Sequence, residues 1–259
     1  GAVGRVLTLM PCTWTDGWPI LGDANGKVPE ELDLNGTNQM MVYSDEFNGS
    51  LSRWWQWNHN PIDKAWSVKE RKGFLRLHTS SCVPNLYLAH NTLTQSMEGP
   101  QCTASICMDI SKMKDGDKAG FAAFNGDAGV LTVARDKGIC TLAMSEQHMR
   151  MDKSNHGVEG VDEKILEQTT LTGKESAGRT AMKSHCIYLR IDADFTSHQD
   201  MATFYYSTDN KNWKQIGKPF KMIFDYRRFF MGTRFAIFNY ATQQSGGYVD
   251  VDWFHYQRK

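Results

Sequence analysis

The end of the chain, residues 234–256, constrains the fold most, because it reads as two strands joined by a glycine-containing turn. In the first strand, bulky side chains alternate onto both faces, which is typical of a strand buried inside a sandwich of two sheets. Gly246 and Gly247 favour the turn, since glycine accepts positive φ angles. In the second strand, simple alternation puts Asp250 and Asp252 on one face among aromatic residues. A carboxylate there needs water, hydrogen bonds or a metal ion.

Most of the remaining chain alternates in the same way, in segments of under ten residues that end at Gly, Asp or Asn. One example is residues 66–78, which predict a hairpin that turns at Lys72-Gly73. The polar stretch 150–180 could hold one short helix, near Val161 to Gln168. The sequence therefore predicts an all-β protein, an antiparallel β-sandwich of the jelly-roll type with at most one short helix.

The first 34 residues differ from the rest. They contain a strand at 6–10, a turn-rich segment with Trp14 and Trp18, and a polar Gly/Pro stretch that resembles a linker. We therefore predict two parts, an N-terminal strand and linker at 1–34 and the sandwich at 35–259. A lone strand with two exposed tryptophans has to pack on the following domain or on something outside this chain.

Charge and composition exclude several classes of function. The 29 basic and 29 acidic side chains give a net charge of zero, so a nucleic-acid partner is not expected. No apolar run is long enough to cross a membrane. The six cysteines have no metal-binding spacing, and a disulfide is possible but not indicated. Eight tryptophans suit either sugar stacking or a large β-core, and composition leaves both open.

Residues 51–61 form the densest cluster of aromatic and amide side chains. Alternation places Trp55 and Trp57 on one face, so at least one of them is expected to be structural. His59 and Asn60 follow in a loop, where imidazole and amide groups can bond sugar hydroxyls. We expect these four residues to form a surface that faces a sugar or another domain.

No catalytic residues are expected in the chain. Jelly-roll glycosidases that act alone carry their acids on one strand face as Glu-x-Asp-x-Glu or Glu-x-Asp-x-x-Glu, which brings two of them close enough for retaining chemistry. Asp250 and Asp252 share a face, but no third acid follows them. The eight histidines are scattered and predict no Ser-His-Asp set.

Five stretches together resemble the C-terminal β-sandwich of glycoside hydrolase family 43 β-xylosidases and arabinofuranosidases. They read WQWNHNP at 55–61, GFLRL at 73–77, NTLTQ at 91–95 with GP at 99–100, FYYSTD at 204–209, and the closing stretch 234–256. The segment TWTDGWPILG at 13–22 resembles the exit from the five-bladed propeller of that family into the sandwich. The resemblance implies a concanavalin A-like fold. It also implies that the catalytic acids lie in a propeller that would precede this chain.

The resemblance also implies a role for the loop 225–235. In the family, an aromatic residue just before a glycine reaches out of the sandwich and lines the mouth of the propeller pocket. Phe230 is the matching residue, although Met231 stands where the family commonly has threonine. Arg228 beside it is expected to bond hydroxyls or to pair with propeller acids. The expected partners are therefore the propeller catalytic domain and xylo-oligosaccharide or arabinoxylan.

A structural Ca²⁺ is the one cofactor that we expect. Concanavalin-like sandwiches often tie their terminal strands with calcium through oxygen ligands. Asp45, Glu46 and Asp252 are the candidate ligands, with backbone carbonyls nearby. The expected location is the periplasm or the exterior of a bacterial cell.

Three functions are weighed on this basis. The favoured one is a noncatalytic accessory domain that supports and completes a propeller catalytic domain. A sugar hydrolase in its own right is disfavoured by the missing acid motif. A lectin-like glycan-binding protein is disfavoured by residues 1–34, because a free lectin needs no propeller strand.

Overall fold

The computed structural model describes residues 1–4, 10–23, 25–28, 43–154, 157–172 and 185–259. The chain divides into two compact units, one made of Gly1–Gly4 with Tyr43–Lys259 and the other of Arg5–Val42. The strand expected at 6–10 falls almost wholly outside the described residues, as does the expected boundary between residues 34 and 35.

The smaller unit contains a hairpin of two strands, β1 (Cys12–Thr15) and β2 (Trp18–Leu21). Asp16 and Gly17 connect them with φ angles of 51° and 81°, the two positive values that a type I′ turn requires. All eight strand residues are exposed, including Trp14 at 71% and Trp18 at 73%. The segment expected to be rich in turns is therefore a regular hairpin with two exposed indole rings.

The larger unit is built from strands and three short 3-10 helices, at Asp63–Ala65, Leu86–Leu88 and Thr196–His198. Its strands in the described ranges are β3 (Gln56–Trp57), β4 (Trp66–Ser67), β5 (Leu75–His78), β6 (Leu93–Ser96), β7 (Gln101–Asp109), β8 (Asp117–Phe124), β9 (Asp127–Asp136), β10 (Ile139–Met151), β11 (Val158–Thr172), β12 (Cys186–Asp194), β13 (Met201–Ser207), β14 (Lys214–Gln215), β15 (Phe220–Lys221), β16 (Arg234–Ala241) and β17 (Tyr248–Arg258). No helix in these ranges is long and apolar enough to span a membrane.

The strands form two antiparallel sheets. The seven-stranded sheet has the order β11-β10-β9-β8-β16-β6-β3. The eight-stranded sheet has the order β14-β13-β12-β7-β17-β5-β4, with β15 paired to β13. The predicted sandwich is confirmed, and so is the hairpin of β4 and β5.

The expected helix near 161–168 is wrong, because these residues lie in β11, which pairs with β10 along almost its whole length. Glu and Lys make the segment look helical locally, but cross-strand pairing overrides that preference. β11 is an edge strand of the sheet. Charged side chains on an edge strand oppose its pairing with a strand of another molecule.

The seven-stranded sheet is buried on both faces. One face packs against the eight-stranded sheet through residues such as Phe121, Phe235 and Ile237. The opposite face carries a second core, in which Phe124 and Phe238 pack with side chains from the segment around Leu86–Leu88. β16 contributes to both cores, so the prediction that its two faces are buried is confirmed.

β17 contains a β-bulge at Asp252, where its register against β7 shifts between Val251 and Trp253. Val251 before the bulge and Phe254 after it are both in the core, although simple alternation cannot bury residues three apart. Asp250, one of the two acids predicted on a face with aromatic residues, lies on the face that points away from the core, and the bulge turns Trp253 to that same outer side.

Asp250 is 4% exposed and is paired with two arginines. Its carboxylate accepts hydrogen bonds from Arg76 Nε at 2.7 Å, Arg76 Nη2 at 2.9 Å and Arg71 Nη1 at 3.0 Å. Arg71 also bonds Asp109, and each arginine lies over an aromatic ring, Phe74 or Tyr248. This cluster neutralises the buried carboxylate without a metal ion.

We predict that Asp250→Asn lowers the free energy of unfolding by about 3 kcal/mol, because it removes the charge that both Nε and Nη2 of the mostly buried Arg76 face. Urea unfolding followed by tryptophan fluorescence measures the change. The matched control is Asp136→Asn, at an exposed position. Equal stability of the two variants would contradict a structural role for the Asp250 cluster.

Candidate functional site

The candidate site is the loop between β15 and β16, where Phe230 stands out of the sandwich. Phe230 is 63% exposed, as the sequence analysis expects, and its ring centroid lies 6.2 Å from that of Phe224. Its neighbour Phe229 points the other way, into the second core, with ring centroids 6.2 Å from Tyr87 and 5.7 Å from Phe124. The inward ring anchors the backbone from which the outward ring projects.

Two further apolar side chains on this loop are exposed, Tyr226 at 66% and Ile223 at 46%. Sequence reasoning missed both, although Tyr226 lies only four residues before Phe230. Together with Phe230 they form an apolar patch, defined here as Ile223, Tyr226 and Phe230. An aromatic patch on a surface loop can cover a neighbouring domain or a sugar ring.

Arg228 holds the base of the loop rather than presenting its guanidinium to solvent. Its Nη1 and Nη2 donate to the two carboxylate oxygens of Asp127 at 2.7 and 2.9 Å, and its Nε donates to Asp225 Oδ2 at 3.1 Å. Nδ1 of His148 contacts Asp127 Oδ1, the oxygen that also accepts the hydrogen bond from Arg228 Nη1. The side chain of Arg228 is only 11% exposed, so this geometry favours a positioning role over direct contact with a sugar.

The carboxylates around Arg228 are held in their charged form. Burial raises the pKa of Asp127, but hydrogen bonds from Arg228 and His148 outweigh it and keep the pKa below its usual value. The pKa of Asp225 is lowered chiefly by its hydrogen bond with Arg227. Since the folded pKa is depressed, this stabilisation is present above about pH 4 and is lost as the pH falls through the folded pKa.

The C-terminal side of the loop is fixed by the first residues of the chain. The carbonyl oxygen of Ala2 accepts a hydrogen bond of 2.8 Å from the backbone of Thr233. A Cβ built on Gly232 would lie 2.2 Å from the carbonyl oxygen of Val3. Asn125 adds a bond of 3.0 Å to the carbonyl oxygen of Met231. Gly232 is therefore required by close backbone approach, not by its φ angle.

Of the predicted aromatic and amide cluster, Trp55 and Trp57 pack in or against the core, whereas His59 and Asn60 lie outside it. Trp55 is 8% exposed, and its indole Nε1 donates to Asp45 Oδ2 at 2.8 Å. Trp57 is half-buried, packs on the core and lies 5.1 Å from the ring of Trp66. Both tryptophans are therefore occupied inside the sandwich.

His59 and Asn60 lie outside the core, in contact with the segment that covers the second core. His59 Nε2 donates to the carbonyl oxygen of Tyr87 at 2.7 Å. The Asn60 carbonyl is 3.1 Å from Nδ1 of His90. Since the ring of Tyr87 stacks on Phe229, His59 supports the loop of Phe230 from below. A direct contact of either residue with sugar stays a prediction.

The three predicted calcium ligands have other contacts. Asp45 accepts hydrogen bonds from the backbone of Phe47 and Ser52 as well as from Trp55. Glu46 pairs with His255 at 2.9 Å. The described residues contain no group of three or more His, Cys, Asp or Glu side chains that could hold a metal ion.

Asp252 lies near Glu46, and its pKa is raised by burial and then by that neighbouring charge. Two neighbouring carboxylates that repel each other are a feature of some metal sites. Calcium takes about six to eight oxygen ligands, however, and these two side chains supply only part of that number. The side chains of Asp45, Glu46 and Asp252 therefore do not form the three-residue calcium site that the sequence predicts. Calcium binding stays a prediction in which backbone carbonyls would provide most of the ligands.

A cavity of about 410 Å³ opens beside the loop and shares Ile223 with the apolar patch. Asp127, Glu146, His148 and Glu163 are among its polar lining residues. Glu163 accepts hydrogen bonds from Ser145 and Gln147 at 2.8 and 2.9 Å, so this carboxylate is used in structural contacts.

Comparison with known proteins identifies what the chain is similar to. A family model described as the β-xylosidase C-terminal concanavalin A-like domain matches residues 44–257. A β-xylosidase of Formosa agariphila is 29% identical over 98% of this chain and 43% of its own length. A putative β-xylosidase of Xylanibacter ruminicola is 25% identical over 85% of this chain and 37% of its own. The chain therefore spans less than half the length of these relatives.

Solved structures give the same picture. A bifunctional GH43-CE protein of Bacteroides eggerthii is 38% identical, with a TM-score of 0.81 over 100% of this chain and 31% of its own. A GH43 glycoside hydrolase engineered to display both endo-xylanase and exo-arabinofuranosidase activity is 29% identical, with a TM-score of 0.80 over 96% of this chain and 49% of its own.

We predict that Gly232→Ala lowers the free energy of unfolding by about 1–3 kcal/mol, because the new methyl group overlaps the Val3 carbonyl, which cannot rotate away as a side chain would. Thermal unfolding measures the loss. Gly99→Ala is the control, since the nearest atom to its Cβ is 3.9 Å away and its φ is not left-handed. A Gly232 variant as stable as the Gly99 variant would show that the N-terminal residues do not hold the loop.

Proposed function

Because the chain belongs to the family of β-xylosidase C-terminal concanavalin A-like domains, we propose that it is the noncatalytic accessory domain of a glycoside hydrolase. In this role it supports a propeller catalytic domain and completes the pocket of that domain with Phe230. The proposed substrates are xylo-oligosaccharides or arabinoxylan. Relatives named as β-xylosidases support this substrate class.

The observation that carries the proposal is the exposure of Phe230 on an anchored loop. A phenyl ring that is 63% exposed costs solvation free energy in isolation. The backbone beneath it is nevertheless held on three sides, by Phe229 in the second core, by Arg228 on Asp127, and by Ala2 on Thr233. Such a preorganised apolar side chain suits a pocket wall that excludes water and stacks on a sugar ring.

The carboxylates of the chain support a noncatalytic role. A retaining glycosidase needs two acids about 5 Å apart, of which one must be able to give and take a proton. Asp250 is buried, and its two carboxylate oxygens are bonded to two arginines, so they are not open to a sugar. On the seven-stranded sheet, the face away from the sandwich is filled by the second core and offers no open cleft over Phe124 and Phe238.

We also propose a structural calcium ion and a periplasmic or extracellular location. Calcium would stabilise the end of the sandwich where Glu46 and Asp252 lie close together. A periplasmic or extracellular location suits an enzyme that acts on plant polysaccharide, and neither point affects the role of Phe230.

The proposal predicts that the isolated chain has no glycosidase activity. Release of nitrophenol from aryl xylosides and aryl arabinofuranosides is measured with the chain alone and with the chain joined to a family 43 propeller. We expect turnover only in the second case. Turnover by the isolated chain, abolished by a substitution in one of its own carboxylates, would overturn the proposal in favour of a stand-alone hydrolase.

Phe230→Ala in the enzyme that contains the propeller is predicted to raise KM for short xylosides several-fold and to leave the melting temperature unchanged. The ring contributes a wall to the bound sugar and little to the core. Ile165→Ala, which removes an exposed apolar side chain from the edge strand β11, is the control and is expected to leave KM unchanged. An unchanged KM for Phe230→Ala would remove the pocket-completing role.

A further inference from the structure

We propose that the outer face of the eight-stranded sheet is a glycan-binding surface for a neutral polysaccharide chain. The surface consists of an aromatic platform, defined as Tyr188, Trp253 and His255, and a polar groove that continues from it along β7. The assignment of xylan as the polysaccharide rests on the proposed function, whereas the site itself rests on the geometry below.

The bulge in β17 creates the platform. Without the extra residue at Asp252, Trp253 would face the core together with Val251. With it, Trp253 and His255 both lie on the outer side, and their rings stack at a centroid distance of 4.0 Å and an angle of 9°. Glu46 contacts Nε2 of His255 at 2.9 Å and so helps to orient the imidazole ring.

Tyr188 extends the platform from the other side of β7. It pairs with Cys107 on β7, which in turn pairs with Trp253 on β17. The rings of Tyr188 and Trp253 are 6.1 Å apart and cover Cys107, which is 4% exposed. Both rings remain partly exposed, and His255 has half of its side chain exposed. Trp253 and His255 each use one ring face on the other, so a sugar would meet the remaining ring surface.

Polar side chains continue the surface along β7. The next outward position is Ser105, which lies between Arg190 on β12 and His255 on β17. Arg190 lies over the rings of Tyr205 and Trp213 at 4.2 and 5.0 Å, and its Nε–Nη2 edge faces the carboxylate of Asp192. Small residues on the central strand with larger ones on both sides make a groove, since neighbouring strands are about 4.8 Å apart.

The groove ends in a cavity of about 440 Å³. Gln101, Thr103, Asp192, Asp194 and Lys259 are among its lining residues. From Cys107 to Gln101 the strand rises about 20 Å, which is long enough for several sugar units in a row. Aromatic rings at one end and hydroxyl, amide and carboxylate groups at the other match the two kinds of surface on a sugar, the C–H face and the hydroxyl edge.

The charges of the groove favour a neutral chain. Arg190 is paired with Asp192 at 3.3 Å, and Lys259 lies in the same cavity as two carboxylates. An anionic polymer would meet as many acids as bases. A protein partner is less well matched, because none of the strongly exposed aliphatic side chains of the described residues lies on the outward positions of β7, β12 or β17.

The surface and the Phe230 loop lie on opposite sides of the sandwich. Phe229 packs on the far face of the seven-stranded sheet, whereas Trp253 is on the far face of the eight-stranded sheet. Both sheets and the core between them separate the two positions. Binding at the platform and the role of Phe230 can therefore be tested independently.

Affinity electrophoresis of the chain in gels that contain soluble arabinoxylan, with isothermal titration of xylohexaose, tests the proposal. We expect the chain to be retarded, Trp253→Ala to weaken binding at least tenfold, and His255→Ala to weaken it several-fold with an unchanged melting temperature. His255→Ala keeps the test valid if Trp253→Ala fails to fold. The matched control is Trp18→Ala, which removes a 73% exposed indole ring from the smaller unit.

The outcomes separate the two proposals. Weakened binding in Trp253→Ala and His255→Ala, together with a normal KM for Trp253→Ala in the propeller-containing enzyme, supports the platform as a site separate from the pocket. Absence of retardation for the chain itself, or loss of binding in Trp18→Ala but not in His255→Ala, overturns the platform and leaves the pocket-completing role untouched. Stronger retardation by polygalacturonate than by arabinoxylan overturns the neutral ligand, and self-association abolished by His255→Ala identifies a protein interface instead.

Discussion

The seven-stranded sheet is buried on both faces, and the position of the candidate site depends on this double burial. An open sandwich leaves the outer face of each sheet in water, so a loop that crosses it has no apolar surface on which to dock. Here Phe124 and Phe238 form a second core on that face, and Phe229 packs into it. The chain turns at residues 226–228, where the backbone of Arg228 and Phe229 bonds to the carbonyl oxygen of Asp225, and it bends at Phe230. With Phe229 packed inward, this bend leaves Phe230 exposed.

The charged residues of the sandwich mostly serve geometry. Asp250 is buried and Asp127 is mostly buried, and each is held by at least one arginine that approaches both carboxylate oxygens. Such pairs contribute little net stability, because desolvation offsets most of the Coulomb attraction, but breaking one leaves a buried charge. Their effect is to specify one arrangement: the Asp250 cluster ties β17 to β5 and β7, and the Asp127 pair ties the Phe230 loop to β9.

The sandwich could be predicted from the sequence because its signals are local. Alternation and glycine turns lie within a few residues of each other, and β16 and the hairpin of β4 and β5 were predicted on that basis. β11 could not, since its pairing with β10 is invisible in a segment rich in Glu and Lys. The faces of the side chains after Asp252 in β17 could not be predicted either, because the bulge adds one residue to the alternation and leaves no mark on composition. The exposure of Phe230 followed from the family resemblance, whereas the partner of Arg228 lies 101 residues away and required the fold.

Contacts between residues far apart in the sequence also explain why the aromatic platform could not be predicted, whereas the cluster at 55–61 was identified as a candidate site. Trp55 and Trp57 are two residues apart in the sequence, but each is used by the core, one against Asp45 and the other against Trp66. Tyr188 and Trp253 are far apart in the sequence, and only the register of β12, β7 and β17 brings their rings together. Aromatic density along a β chain therefore indicates core as often as surface. The outward position, which depends on register and bulges, decides which rings are available to a ligand.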